Sequence, residues 1–252
     1  MTAPLFVHGD VAGARAGDEL WLEGPEGRHA VSVKRLRIGE EVVLADGLGH
    51  GAVGEVTGVE GRDRLRMVVT AVRREPASEP ALIVVQALPK GDRGEVAVET
   101  LTETGVDTIV PWQAARCVTR WRAERGEKAL AKWRNTAREA GKQSRRLWFP
   151  GVTGAHTTRD VAALIASTAD AGGTALVLHE TATVPLTRAV ESDGGGPVVL
   201  VVGPEGGIAP EELAVLEEAG ARAVRLGPAV LRTSTAGTVA AAVVLSRTPR
   251  WA

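Results

Sequence analysis

Two stretches near the C-terminus, Gly203-Pro-Glu-Gly-Gly207 and Gly227-Pro-Ala-Val-Leu-Arg232, each combine glycine, a proline and one charged side chain. Both follow β-rich apolar runs, Val198–Val202 and Ala223–Leu226, and both lead into helix-forming segments. A third loop, starting at His179-Glu180, follows Leu176-Val-Leu178 in the same way. Ligands of open α/β sheets sit beyond the C-terminal ends of the strands, so three such loops predict one shared pocket. Gly206 and Gly207 permit close backbone approach and positive φ, while Pro204 and Pro228 stiffen the loops. The chemistry this suits is a small ligand held largely by backbone groups, with few charged side chains beside it.

Other chemistries fail on their own spacing. The chain has no Gly-x-x-x-x-Gly-Lys-Ser/Thr loop, no Gly-x-Gly-x-x-Gly after a first strand, and no His-Glu-x-x-His or Cys-x-x-Cys pair. Gly47-Leu-Gly-His-Gly51 lies among β-like runs and reads as a hairpin turn. A single cysteine, Cys117, excludes an intramolecular disulfide and a cysteine metal cluster, and no metal site is expected. Of the five histidines only His179 falls near the predicted pocket.

The elements that must position these loops show two compositional regimes. From Leu5 to about Val72, short β-like runs (Glu19–Leu22, Glu41–Leu44, Gly51–Thr57, Leu65–Val72) are punctuated by glycine turns, which predicts a small β-barrel. Arg73-Arg-Glu-Pro-Ala-Ser-Glu-Pro80 reads as a linker, which divides the chain into domains at 1–74 and 75–252. Beyond it, strands at Ala81–Leu88, Val106–Val110, Thr174–Leu178, Val198–Val202 and Ala223–Leu226 alternate with helices at Asp92–Thr104, Glu124–Lys142, Arg159–Ala169, Pro210–Glu218 and Thr233–Ser246. That pattern predicts an α/β fold with a parallel sheet covered by helices on both faces.

The net charge of −1 conceals an asymmetry. Between Arg116 and Trp148 there are eleven Lys or Arg against three Glu, so one face is expected to be cationic, either as a phosphate-binding surface or as an ordinary solvated helix. At helical spacing Leu130, Trp133, Ala137 and Ala140 form an inward stripe, while Arg134, Arg138, Lys142 and Arg145 form another that faces solvent. Trp112, Trp121 and Trp148 interleave with the basic residues and are candidates to stack on unpaired bases, although a tryptophan on an amphipathic helix more often belongs to the core. No apolar run is long enough to cross a bilayer, and Met1-Thr-Ala-Pro-Leu-Phe6 lacks a signal pattern, so a reducing, cytoplasmic setting without a membrane role is expected.

Four segments, the two loops among them, carry a family resemblance. Gly203-Pro-Glu-Gly-Gly-Ile208 with Glu211-Glu-Leu213, Leu226-Gly-Pro-Ala-Val-Leu-Arg-Thr-Ser-Thr-Ala236, Pro89-Lys-Gly-Asp-Arg93 and Glu139-Ala-Gly-Lys-Gln-Ser-Arg145 resemble the bacterial 16S ribosomal RNA uridine-N3 methyltransferases. These are SPOUT-class enzymes with a PUA-like N-terminal domain, and His29-Ala-Val-Ser-Val-Lys-Arg-Leu-Arg-Ile-Gly39 resembles that domain. The resemblance implies a C-terminal trefoil knot, a homodimer with sites at its interface, and 16S rRNA of the small ribosomal subunit as partner. It further implies S-adenosylmethionine as cofactor, held by Leu178, His179, Glu180, Val202, Gly203, Pro204, Gly206, Gly207, Ile208, Leu226, Gly227, Val230, Leu231, Thr233 and Ala236.

Methylation of a neutral uridine N3 needs a base or a group that stabilises the uridinate. Arg232 suits the second role, and Glu205 is a candidate base, cofactor contact or helix cap. Lys34, Arg35, Arg37, Arg134, Arg138, Lys142, Gln143, Arg145 and Arg146 are the expected RNA-binding residues. Two positions depart from the family pattern: Ser234 stands where relatives commonly carry Glu, and Thr100 where they carry Lys. Ala209 also lacks the Ser/Thr cap expected before the Pro210 helix, a loss of about 1 kcal/mol offset in part by Pro210 and the acids behind it. Methylation of a ribose 2′-hydroxyl by the same fold, and a non-catalytic RNA-binding ribosome factor, are the competing readings.

Overall fold

A computed structural model describes residues 3–190 and 196–251. They divide into two compact units, residues 1–77 with 141–149, and residues 78–140 with 150–252.

In the first unit, β1 (Leu5–Val7), β2 (Glu19–Leu22), β3 (Glu41–Ala45), β4 (His50–Glu60) and β5 (Arg64–Arg74) form one sheet in the order β1-β3-β4-β5-β2. Only β1 and β3 run parallel. His8 Nε2 lies 3.0 Å from the carbonyl oxygen of Trp21, linking the ends of the two outer strands. A short helix, α1 (Gly24–Arg28), begins with Pro25 in its first turn and continues as a wider turn over His29–Val33. Alternate strand residues such as Val42, Leu44, Val56, Leu65 and Met67 bury one face of the sheet together with Phe6 and Leu22. The β3–β4 hairpin turns at Gly47 and Gly49, with φ of 76° and 94°. The Asp46 carboxylate accepts hydrogen bonds from the backbone N–H groups of Leu48 and His50 and lies 2.7 Å from His50 Nδ1. Burial alone would raise this carboxyl, but those bonds hold it below its ordinary pKa.

Residues 141–149 correct the linear division. The Leu147 carbonyl accepts from the Gly49 N–H, the Gly47 carbonyl accepts from the Phe149 N–H, and Trp148 Nε1 donates to the Glu75 carbonyl at 2.9 Å. Gly47 and Gly49 have no Cβ because Phe149 and Trp148 occupy that space, with ring atoms 2.8 and 2.6 Å from where a Cβ would stand.

In the second unit, β6 (Leu82–Ala87), β7 (Thr108–Trp112), β8 (Gly151–Val152), β9 (Thr174–Leu178), β10 (Val198–Val202) and β11 (Arg222–Val224) form a fully parallel sheet in the order β11-β9-β10-β6-β7-β8. The chain runs outward from β6 to β8 and then returns to the other side, so the strand direction of travel switches beside β10. Every residue of Val198-Val-Leu-Val-Val202 is buried, as a strand covered on both faces requires. The helices are α2 (Arg93–Thr104), α3 (Ala123–Gln143), α4 (Thr158–Asp170), α5 (Leu186–Ala189), α6 (Pro210–Glu218) and α7 (Thr233–Leu245). α2 packs with α7, and α4 with α6.

The structure moves the second predicted strand from Val106–Val110 to Thr108–Trp112, because the Val106 N–H closes the end of α2 on the Leu101 carbonyl. Trp112 is fully buried in this core, which removes it as a base-stacking candidate. Trp133 is buried as its helical position requires, with Trp121 edge-on against it at 5.0 Å. None of the described helices is long and apolar enough to cross a membrane.

Candidate active site

Strand register builds the site. Val202 pairs with Leu178 on one side and with Gln86 on the other, and Leu178 pairs with Val224. The C-terminal ends of β9, β10, β11 and β6 therefore lie in one row, and the loops that leave them must converge. They enclose a cavity of about 780 Å³, inside the range typical of small-molecule sites. All fifteen residues expected to hold the cofactor line it, from Leu178-His-Glu180 through Val202–Ile208 to Leu226–Ala236, and so do Glu205 and Arg232. Arg93, Arg116, Pro210, Arg225, Pro228 and Ala229 line it as well.

The glycines divide by what they accommodate. A Cβ on Gly203 would stand 2.7 Å from the Ile208 side chain, and one on Gly206 would stand 3.1 Å from the Arg116 Cβ. Both are small because the chain packs on itself there. Gly207 is needed for its backbone, at φ 73°. Only at Gly227, among these four, does a Cβ meet nothing within 4 Å, so this is the one that leaves open space.

The charged groups are held differently. Glu205 is exposed, and its Oε1 accepts from the Lys90 N–H at 3.2 Å, so it ties the loop after β10 to the loop after β6 and does not cap α6. The α6 N-terminus is served by Glu212, whose Oε2 accepts from the Ala209 N–H at 3.4 Å. The other oxygen of Glu212 accepts from the Ala115 N–H at 2.8 Å and the Thr158 hydroxyl at 2.6 Å, anchoring the segment that carries Arg116. Arg232 is exposed at the start of α7 and takes part in none of the ion pairs among the described residues. His179 Nδ1 lies 2.9 Å from the Thr181 hydroxyl, which fixes the ring at the end of β9. Gln86, fully buried at the end of β6, donates from Nε2 to the Ala87 and Thr233 carbonyls and so pins the first turn of α7 just after Arg232. A lone buried amide in an apolar strand was the available sequence signal for it.

Outside the cavity, Lys34, Arg35 and Arg37 are exposed in the first unit, as are Gln143 and Arg145, while Arg146 is half-buried. Arg134 donates from Nε to the Val152 carbonyl at 3.1 Å, and Arg138 is exposed. Lys142 departs from expectation. It is buried, with its ammonium 2.9 Å from the Glu26 carboxylate, because Gly141–Phe149 folds into the first unit. It is an internal structural cation, not part of an RNA-binding face.

Comparison with known proteins bears directly on these features. Residues 77–245 match the model of an RNA methyltransferase domain, and residues 22–69 that of an RNA methyltransferase PUA domain. The chain belongs to the RNA methyltransferase family. Its fold is α/β of the SPOUT class with a PUA-like N-terminal domain. Over 230 residues this RNA methyltransferase is 47% identical to ribosomal RNA small subunit methyltransferase E of Mycobacterium bovis, covering 91% of this chain and 87% of the relative. The enzyme of the same name from Bacillus subtilis is 29% identical over 221 residues, covering 85% of each chain. Among solved structures, ribosomal RNA small subunit methyltransferase E from Neisseria gonorrhoeae bound to S-adenosyl methionine superposes with a TM-score of 0.84 at 26% identity, covering 97% of this chain and 98% of that one.

Proposed function

We propose that this protein transfers a methyl group from S-adenosylmethionine to N3 of a uridine in the 16S rRNA of the small ribosomal subunit. The observation that carries the reading is the convergence of three strand-end loops on one cavity, in a chain 47% identical to a small-subunit ribosomal RNA methyltransferase. The cavity fits the cofactor in kind. Leu178, Val202, Ile208, Leu226 and Leu231 supply apolar walls, the loops supply backbone amides and carbonyls, and Gly227 leaves space unfilled by the chain. S-adenosylmethionine, when bound, supplies an electrophilic methyl on a sulfonium.

The protein's task is to make N3 a nucleophile and to hold it in line. The Arg232 guanidinium, in no ion pair and set at the pinned start of α7, places positive charge where a uridinate oxygen would develop its negative charge. Gln86 keeps that turn in position through the Thr233 carbonyl. Glu205 is the candidate base: one carboxylate oxygen is occupied by the Lys90 N–H, and the same bond orients the other. Lys34, Arg35, Arg37, Arg134, Arg138, Gln143, Arg145 and Arg146 are proposed to contact RNA phosphates, and the ribosomal substrate puts the activity in the cytoplasm.

A homodimer is proposed as the working form. Exposed Val96 on α2 and Val239 on α7 support it, whereas Gly237, Ala240 and Ala241 pack into the unit's own core. The test is methyl transfer from labelled cofactor to small subunits and to naked rRNA, with the product nucleoside identified. Label in 3-methyluridine supports the reading, and label in a 2′-O-methylated nucleoside rejects it.

A further inference from the structure

The cavity carries more positive charge than its methyl donor accounts for. Arg93, Arg116, Arg225 and Arg232 line it, against the carboxylates of Glu180 and Glu205. Among the described residues none of these four guanidinium groups is in an ion pair. S-adenosylmethionine is itself a net cation at neutral pH, with a sulfonium and an ammonium against one carboxylate. Even if one arginine meets that carboxylate and Arg232 meets the uracil, two remain without an anion. Unneutralised charge of one sign in a recess attracts an anionic ligand.

The segment carrying Arg116 is rigidly built. Glu212 holds the Ala115 N–H, Arg120 donates to the Ala114 and Ala115 carbonyls at 2.9 and 2.6 Å, and Thr119 Oγ1 donates to the Pro89 carbonyl at 2.8 Å. Gln113 Oε1 also accepts from the Trp121 N–H at 2.9 Å. Arg116 Nη1 spends one donor on the Gly206 carbonyl at 3.3 Å, which aligns the guanidinium along the loop after β10 and leaves its other donors unused. Arg93 reaches the same cavity from the start of α2, three residues beyond the Lys90 N–H that holds Glu205. Two separate segments, each hydrogen-bonded to the Pro204–Gly207 loop, thus bring a guanidinium to the same cavity.

We infer that Arg93 and Arg116 form a binding site for a phosphodiester of the substrate RNA, beside the nucleotide being methylated. The inference rests on the proposed function, in that the cavity must act on RNA. Guanidinium groups suit the task because their paired donors match the oxygens of a phosphate. The site fixes the acceptor strand relative to the methyl donor, so it governs RNA affinity and leaves cofactor affinity alone.

The test measures binding of small-subunit rRNA at a series of salt concentrations for the wild type, Arg93→Ala, Arg116→Ala and Arg116→Lys, with S-adenosylmethionine affinity by calorimetry in parallel. Each alanine variant should flatten the slope of log affinity against log salt by about 1, with cofactor Kd within about twofold of wild type. Arg116→Lys should restore the slope, since the charge is restored. An unchanged slope combined with a weaker cofactor Kd would give the two arginines to the cofactor's carboxylate and overturn the site. Wild type that binds no RNA overturns it as well. Wild type that binds with the steep slope yet transfers no methyl removes the proposed function and leaves the phosphate site standing.

Discussion

The strand-end loops of the second unit and the basic stretch through α3 into residues 141–149 are both conspicuous in the sequence, yet they fare differently in the structure. The loops hold together because register gives them no choice. Val202 opposite Leu178, and Leu178 opposite Val224, force three loops to one place. The basic stretch has no such constraint. Its positive charge is a sum over side chains that fold into two different units, and Lys142 is buried against Glu26. Position relative to a strand end is evidence of a site, whereas charge density is evidence only of charge.

Arg232→Ala and Lys142→Met put the sharpest pressure on that contrast. Arg232→Ala should lower kcat by roughly 10²–10³-fold with cofactor affinity nearly unchanged, read from steady-state kinetics and calorimetry. Lys142→Met should cost about 3 kcal/mol of stability, seen in denaturant unfolding, because it removes the buried ammonium that neutralises the half-buried Glu26 carboxylate. Its salt dependence of RNA binding should match wild type, and a flatter slope would return Lys142 to the RNA-binding face.

The loops themselves contain the next contrast. Gly203→Ala meets Ile208 and should lose about 1–2 kcal/mol of stability before any loss of binding is measured. The Cβ of Gly227→Val meets nothing within 4 Å in the chain, and the variant should weaken S-adenosylmethionine about tenfold by calorimetry with an unfolding midpoint close to wild type. Equal effects of the two on stability would end the distinction between packing and ligand glycines.

The two departures from the family pattern sit on one seam. Thr100 Oγ1 on α2 lies 2.7 Å from Thr238 Oγ1 on α7, and Ser234 is one helical turn before Thr238. Ser234 is buried, and its hydroxyl has no partner among the described residues. A carboxylate at 234 would take the place of a buried hydroxyl that already has no partner, so it would be costly there. Ser234→Glu should cost about 2 kcal/mol, and adding Thr100→Lys should recover part of it in a double-mutant cycle. Strict additivity would contradict the coupling.

Legibility in the sequence follows the same physics. Thr174–Leu178, Val198–Val202 and Pro210–Glu218 have the bounds their patterns predict, because a buried parallel strand is a continuous apolar run and Pro210 starts a helix. β8 was missed because two residues carry no period, and β7 was misplaced because Pro111 does not read as strand. Pro111 is tolerated because its nitrogen points the same way as its carbonyl, which accepts from the His156 N–H, so the ladder with β6 loses no donor. In the site, most residues on the loops were found, whereas residues that reach it from other segments, Arg93 and Arg116, were not assigned to the cavity. Nothing local in Ala114-Ala-Arg-Cys117 shows that Glu212, far along the chain, holds that segment at the cavity wall.

The central claim is that the strand-end cavity delivers a methyl group to uridine N3. Small subunits incubated with the protein and labelled S-adenosylmethionine, then digested to nucleosides, should yield label in 3-methyluridine, and the Arg232→Ala protein should yield roughly 10²–10³-fold less per unit time. Label in any other nucleoside, or undiminished label with Arg232→Ala, would contradict the account.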